Sequence, residues 1–388
     1  MLVPMRVILA AADRLNYAQG AFNVNAVAQI KAAIEMHETF RSPAILQGAD
    51  LANGFMGGRV DFMNSTIEDK RRGAKNIADA VKKYGQNSMI PIAVHLDHGK
   101  DFESCVAAIE GGYTSVMIDG SALPYEENVE LTREVVKYAH ARGVTVEGEL
   151  GVLAGVEDDV SAVNSTYTNP LTAIDFFRKT KVDALAISYG TKHGANKGKD
   201  TVIRKEIPIA IKECMLHERI DGFLVSHGSS TVPAYVVEEL LALGSELKDM
   251  YGISVDQLVE VAKAGINKIN VDTDIRLAVT RDMKEFFNKY PEMKTSASIG
   301  EVWKQLDAKK GAFDPRAFAA PIMDTIMYGD AAAQAADPDV ARLMTCFEAG
   351  AKEAIGPLLV KFGSLGMAPQ VEMVTLEEMA ERYRKAGI

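Results

Sequence analysis

The sequence predicts an α/β chain: a (β/α)8 TIM barrel over residues 1–275, with a helical C-terminal extension over residues 276–388. Two observations carry this. Eight short apolar-rich segments alternate with longer segments of helical periodicity. The scarce titratable residues gather just after those apolar segments, where this architecture places its chemistry.

The predicted strands are GAFNVN (20–25), PAILQG (43–48), PIAVHLD (91–97), TSVMIDG (114–120), VTVEGEL (144–150), DALAISYG (183–190), GFLVSHG (222–228) and KINVDTD (268–274). They do not alternate cleanly between apolar and polar, as expected for a parallel sheet buried on both faces. Between them, AVAQIKAAIEMHETF (26–40) and NVELTREVVKYAHARG (128–143) have apolar residues at helical spacing, and the second stops at Arg142-Gly143. Eight such units need about 250 residues, which the first 275 supply. Beyond them the strand signals fade. LAVTRDMKEFFNKY (277–290) and DPDVARLMTCFEAGAKEAIGPLLVKF (337–362) read as helices that pack on the barrel or on a neighbouring subunit.

The composition is 47% hydrophobic and 25% charged, enough for a sizeable core. A net charge of −10 argues against a nucleic-acid or anionic-membrane surface but allows a local pocket for a small anion. No run of about 18 apolar residues is present, so no membrane span is expected. The apolar stretch between Arg6 and Asp13 is too short for a signal peptide. Three widely spaced cysteines without a CxxC exclude a disulfide framework and a thiolate zinc site, and fit the cytoplasm.

Four of the seven histidines lie at strand ends: His95 and His98 in HLDHGKD, His193 in SYGTKHG and His227 in SHGSS. The others, His37, His140 and His217, fall in helical segments and read as surface residues. Imidazoles from several strand ends can converge above a barrel, and three of them with an open fourth position describe a catalytic zinc site. A single histidine at a polar rim is more often a cap. The set, with glycine following His193 and His227, shifts the balance to metal. Strand ends also carry Asp97, Asp119, Glu147, Glu149, Asn270, Asp272 and Thr273. HGANKGK (193–199) and HGSS (227–230) are small, amide-rich loops late in the barrel order, suited to an anion, with Lys197 and Ser230 as further donors. Glu157, in GVLAGVEDDV (151–160), reads on position alone as part of a solvated acidic loop with Asp158 and Asp159.

HLDHG, the VEGELG loop with its following glutamate, SYGTKHG, SHGSS and NVDTD, in this order, resemble the class II, metal-dependent fructose-bisphosphate aldolases from about residue 20 to about residue 320. The combined motifs are specific, and tagatose-bisphosphate aldolases share nearly all of them. The resemblance implies Zn2+ on His98, His193 and His227, with Asp119 and Glu149 marking a second metal position. It makes Asp97 the acid/base at the C4 hydroxyl. It makes Glu157 the loop carboxylate that takes the C3 proton of dihydroxyacetone phosphate, against the positional reading. Asn270 would contact the substrate near C2. Gly194, Gly228, Ser229, Ser230, Asp272 and Thr273 would cradle the ketose phosphate, often with a monovalent cation (K+ or Na+), with Lys197 beside them and Asn23 also at the substrate. Arg316, in FDPR (313–316), resembles an arginine that reaches the second phosphate from a neighbouring subunit, which implies a homodimer or homotetramer.

One position departs from the family: Ala49, in LQGAD, stands where a phosphate-holding serine is usual. That bears on substrate identity and leaves the metal chemistry intact. The expected activity is cleavage of fructose 1,6-bisphosphate, with tagatose or another ketose bisphosphate as the alternative. A metal-dependent hydrolase on the same barrel is a further reading, because His95 and His98 superficially match HxH strand motifs, but it leaves the phosphate loops unused. A non-catalytic scaffold leaves Asp97, Glu157 and the three histidines unexplained.

Overall fold

Eight parallel strands close into a barrel: β1 Gln19–Asn23, β2 Ala44–Ala49, β3 Ile92–Gly99, β4 Ser115–Ile118, β5 Thr145–Leu150, β6 Ala184–Ile187, β7 Phe223–Ser226 and β8 Ile266–Val271. β1 closes the ring against β8, with Gln19 opposite Lys268 and Ala21 opposite Asn270. The structure is a computed structural model that describes residues 1–157, 160–162, 166–199, 201–329 and 331–388, with backbone only over 156–157, 160–162 and 331–333.

All eight predicted strands are present, with ends shifted by a few residues. Each is buried almost throughout, which is why the apolar runs do not alternate. The predicted helices appear as Val27–Thr39, Tyr125–His140, Thr273–Lys289 and Pro338–Lys361. Gly143, at φ +73°, supplies the left-handed turn after the second. Residue 275 falls inside helix Thr273–Lys289, and helix Pro338–Lys361 packs against that helix and against Val27–Thr39.

The barrel floor is built from both ends of the chain. Helix Met5–Leu15 and the C-terminal helix Leu376–Ala386 bury Met5, Ile8, Leu9, Met379 and Tyr383 in one cluster with the inward residues Ala21, Ile45, Ala93, Ala184 and Val225. Polar groups tie this floor together. Asp183 accepts from Tyr383 Oη at 2.9 Å, Arg6 Nη1 at 2.7 Å and the Val146 amide at 2.8 Å, and lies 2.9 Å from His140 Nε2. His140 also stacks on Tyr383, with ring centroids 3.7 Å apart. Two histidines read as surface residues are therefore core residues. His140 is held in this network, and His37 is wholly buried with its ring edge against Phe22. Only His217 of the three is exposed. Among the described residues, no helix is long and apolar enough to cross a membrane.

Candidate active site

The site begins with an irregularity in β3. Its register against β4 shifts between Leu96 and Gly99, and His98 sits in the left-handed region at φ +49°. A regular strand would send Asp97 and His98 to opposite faces. The bulge turns both toward the barrel mouth, at a conformational cost of about 1–3 kcal/mol for a non-glycine residue.

Asp97 is gripped from both sides. Asn23 Nδ2, at the end of β1, donates to Oδ2 at 3.0 Å, and Asn270 Nδ2, on β8, donates to Oδ1 at 3.0 Å. Gln47 Nε2 in turn donates to Asn23 Oδ1 at 2.6 Å. The carboxylate is thus fixed in a pocket where it is 2% exposed.

His98 and His227 face one another, with His98 Nε2 3.1 Å from His227 Nδ1. Each ring's other nitrogen is turned to a carboxylate: His98 Nδ1 lies 3.3 Å from Asp119 Oδ2, and His227 Nε2 lies 2.7 Å from Glu147 Oε1. If each ring donates to its carboxylate, the two facing nitrogens both carry lone pairs. Two lone pairs at that distance repel unless a cation or a proton lies between them. The electrostatics follow suit. Burial opposes charge on His98, but Asp97, Asp119 and Glu149 together outweigh it and hold its pKa well above the ordinary value. Burial lowers the pKa of His227, and the neighbouring His98 lowers it further. Burial and the nearby Asp119 push Glu149 well above the usual carboxylate range. Its Oε2 is buried without a hydrogen-bond partner among the described residues, 4.0 Å from His98 Nδ1.

Two groups of donors close enough to share a metal ion result: Asp97, His98 and His227, and His98, Asp119 and Glu149. His193 joins the same cluster, its ring centroid 5.1 Å from that of His98 and 6.3 Å from that of His227. Imidazoles with carboxylates, a buried carboxylate oxygen without a hydrogen-bond partner among the described residues, and two ring nitrogens facing each other at 3.1 Å are a donor set that suits zinc.

The anion loops assemble beside it. Ser230 Oγ accepts from the amides of Asp272 and Thr273 at 3.2 Å each, and Thr273 opens the 17-residue helix Thr273–Lys289. That helix N-terminus favours negative charge. Gly228, at φ +60°, crosses the preceding loop so closely that a Cβ would lie 2.4 Å from the Lys192 carbonyl oxygen. Lys197 is buried, with Nζ donating to the carbonyls of Lys192 at 2.6 Å and Gly194 at 3.0 Å. Ser229 turns inward, its Oγ 2.6 Å from Ser226 Oγ.

Two expected residues lie at the edges. Arg316 is 3% exposed, forks onto Asp314 of its own chain with Nε–Oδ2 at 3.0 Å, and covers the Phe62 ring. Asp314 is shared with Arg276 at 3.0 Å, and Arg276 also binds Asp272, which links Arg316 to the anion loops. Glu157 ends the strand Gly155–Glu157 of a short antiparallel hairpin with Val160–Ala162. The hairpin is anchored at the site, since the His193 amide donates to the Ala154 carbonyl at 2.8 Å. The Glu157 side chain, and Asp158 and Asp159, lie outside the described residues.

Comparison with known proteins shows the family. Residues 3–346 match the family model "Fructose-bisphosphate aldolase class-II". The chain belongs to the class II fructose-bisphosphate aldolase family. It is 42% identical to the fructose-bisphosphate aldolase of Treponema pallidum over 84% of this chain and 92% of that one. It is 34% identical to that of Giardia intestinalis over 99% of each chain. Among solved structures, the YdjI aldolase of Escherichia coli K12 superposes with a TM-score of 0.64 at 23% identity, covering 95% of this chain and all of that one. Fructose-bisphosphate aldolase from Campylobacter jejuni gives 0.64 at 18% identity, covering 94% and 96%. These two show the shared fold. Membership makes the protein a class II aldolase of a metal-dependent family acting on a phosphorylated sugar.

Sequence reasoning placed His95 and Glu147 at the strand ends; it missed Lys268 and the layer that the three form beneath the site. Glu147, Lys268 and His95 are all wholly buried inside the barrel. Each stands two residues before a mouth residue, at Glu149, Asn270 and Asp97. The two-residue period of a strand puts such pairs on one face, so the signal was present in the sequence.

Proposed function

We propose that the protein catalyses the zinc-dependent, reversible cleavage of fructose 1,6-bisphosphate to dihydroxyacetone phosphate and glyceraldehyde 3-phosphate. The observation that carries this reading is the fixed Asp97 carboxylate beside the facing nitrogens of His98 and His227. His98, His193 and His227 would hold zinc, with Asp119 and Glu149 at a second position. Bound there, zinc supplies Lewis-acid stabilisation of the negative charge that forms next to the ketone.

The chain's own groups do the rest. Asp97 takes the proton of the C4 hydroxyl in cleavage and returns it in condensation, held in line by Asn23 and Asn270. Glu157 exchanges the C3 proton from the hairpin anchored at His193, with Asn270 near C2. Gly194, Gly228, Ser230, Asp272 and Thr273 hold the ketose phosphate through amides and the helix N-terminus, with Ser229 and Lys197 supporting the loops and K+ or Na+ as counter-ion. Arg316 serves the second phosphate, in a homodimer or homotetramer to which residues 276–388 contribute. The free thiols Cys105, Cys214 and Cys346 are in keeping with a cytoplasmic enzyme.

The test is metal analysis together with kcat/KM for fructose and tagatose 1,6-bisphosphates. The reading expects one or two zinc ions per chain and a clear preference for fructose. Equal or reversed preference would assign Ala49 and its surroundings to another ketose bisphosphate. Phosphate release without triose formation would make the protein a hydrolase.

A further inference from the structure

We infer that Glu147, backed by the buried ammonium of Lys268, is a positioning residue that sets the tautomer of His227 and so aims its Nδ1 lone pair at the metal position. The inference rests on the metal reading above and adds residues that contact neither substrate nor metal.

Glu147, Lys268 and His95 fill the barrel layer under the site, all at 0% exposure. Burying an ion pair there carries a desolvation penalty of several kcal/mol per ion, and apolar residues of similar volume would fill the layer as well. The pair therefore needs a reason beyond packing. Its geometry gives one. Glu147 spends its two oxygens differently: Oε2 accepts from Lys268 Nζ at 2.9 Å, and Oε1 faces His227 Nε2 at 2.7 Å. With Lys268 beside it, Glu147 stays ionised and can only accept. His227 must then carry its proton on Nε2, which leaves the Nδ1 lone pair facing His98 Nε2 at 3.1 Å.

His95 completes the layer without competing. Its Nδ1 pairs with Ser115 Oγ at 2.8 Å, and Ser115 Oγ also reaches the Thr145 carbonyl at 3.3 Å. If Ser115 donates to that carbonyl, it accepts from His95 Nδ1, and His95 Nε2 is left as an acceptor. That nitrogen has no hydrogen-bond partner among the described residues and sits 3.5 Å from Glu147 Oε2. Lys268 is thus the donor to Oε2.

The arrangement predicts an unusual pattern of rescue. In Glu147→Gln the introduced amide must turn its oxygen toward the Lys268 ammonium. Its NH2 then faces His227 Nε2, which forces the proton onto Nδ1 and blocks the metal position. In Glu147→Gln/Lys268→Met the amide is free to turn its oxygen back to His227. The experiment measures zinc affinity by chelator competition and the visible absorption of the Co2+-loaded protein, for wild type, both single variants and the double variant, with near-ultraviolet circular dichroism to verify folding. Expected are a 10- to 100-fold loss of zinc affinity and an altered Co2+ spectrum in Glu147→Gln, with partial recovery of both in the double variant. Zinc affinity within twofold of wild type in Glu147→Gln, or no recovery in the double variant, overturns the inference. The near-isosteric Glu147→Gln and the charge-neutral double variant keep the test decisive if Lys268→Met alone fails to fold. Failure of wild type to bind zinc would instead overturn the metal reading, and the inference with it.

Discussion

Asn23→Ala isolates the orientation of Asp97. Asn23 Nδ2 donates to Asp97 Oδ2 at 3.0 Å, and Gln47 holds Asn23 from behind. A hydrogen bond to a charged acceptor contributes about 1.5–3 kcal/mol. If that bond matters only while Asp97 handles the C4 hydroxyl proton, its loss lowers kcat by roughly 10- to 150-fold, at 1.36 kcal/mol per decade. The substitution also leaves Gln47 Nε2 without its acceptor inside the barrel, a stability loss of about 1–3 kcal/mol. Assays therefore belong at 25 °C, with the melting temperature recorded alongside. The reading distinguishes itself from simple phosphate binding through the kinetic split. Loss of a substrate contact made equally in ground and transition states raises KM and spares kcat. On the proposed mechanism, loss of Asp97 orientation lowers kcat and spares exchange of the C3 proton of dihydroxyacetone phosphate, the step proposed for Glu157. In an Asp97→Ala background, Asn23→Ala should then add less than about threefold, since the two act as one unit. A kcat within twofold of wild type, with KM raised, refutes the positioning argument.

Chelation should abolish cleavage and added zinc restore it. Borohydride with substrate should trap no lysine, because the buried Lys268 ammonium is committed to Glu147; a reduced lysine adduct by mass spectrometry would contradict the metal mechanism. Glu157→Gln should slow C3 proton exchange by about 100-fold or more while zinc content stays near wild type, and loss of zinc in that variant would show the role to be wrong. His37, fully buried, has its pKa lowered by burial to about 4 from 6.5. A histidine whose folded pKa lies below its unfolded value takes up its proton on unfolding, so stability should fall as pH drops from 6.5 toward 4, by roughly 3 kcal/mol in full. Urea midpoints of wild type and His37→Gln between pH 7 and 5 check this: the variant should show the flatter profile, and parallel profiles would refute it.

The barrel was legible because parallel strands buried on both faces appear as apolar runs, and their right-hand boundaries are marked by the polar residues of the mouth. The positions of Asp97, His98, His193 and His227 were legible for the same reason. What was not legible depends on contacts distant in sequence. His140 looks like a helix-surface residue until Asp183 and Tyr383 arrive from 43 and more than 200 residues away. His37 lies in a helix whose burial on nearly all sides comes from helix Pro338–Lys361 as well as from the barrel. Helix Met5–Leu15 carries no signal in its own residues that it floors a barrel. The hairpin at Gly155–Ala162 reads as a loop because three-residue strands have no periodicity to detect.

The layer under the site changes how its charge is understood. Asp97, Glu147, Glu149 and Asp119 lie close around His98 and His227, and Lys268 bonds to Glu147. Buried carboxylates in that number cannot all stay ionised beside neutral imidazoles. Burial and the nearby Asp119 push Glu149 well above the usual carboxylate range, while at His98 the surrounding Asp97, Asp119 and Glu149 outweigh burial and hold its pKa well above the ordinary value. A divalent cation held by His98 and His227 would offset the same carboxylate charge. The cation and the His98 proton therefore contend for the same lone pair, so metal binding must release protons. With Glu147 kept ionised by Lys268, the inferred Nε2 proton of His227 leaves the Nδ1 lone pair facing His98 Nε2, beside the Asp97 carboxylate.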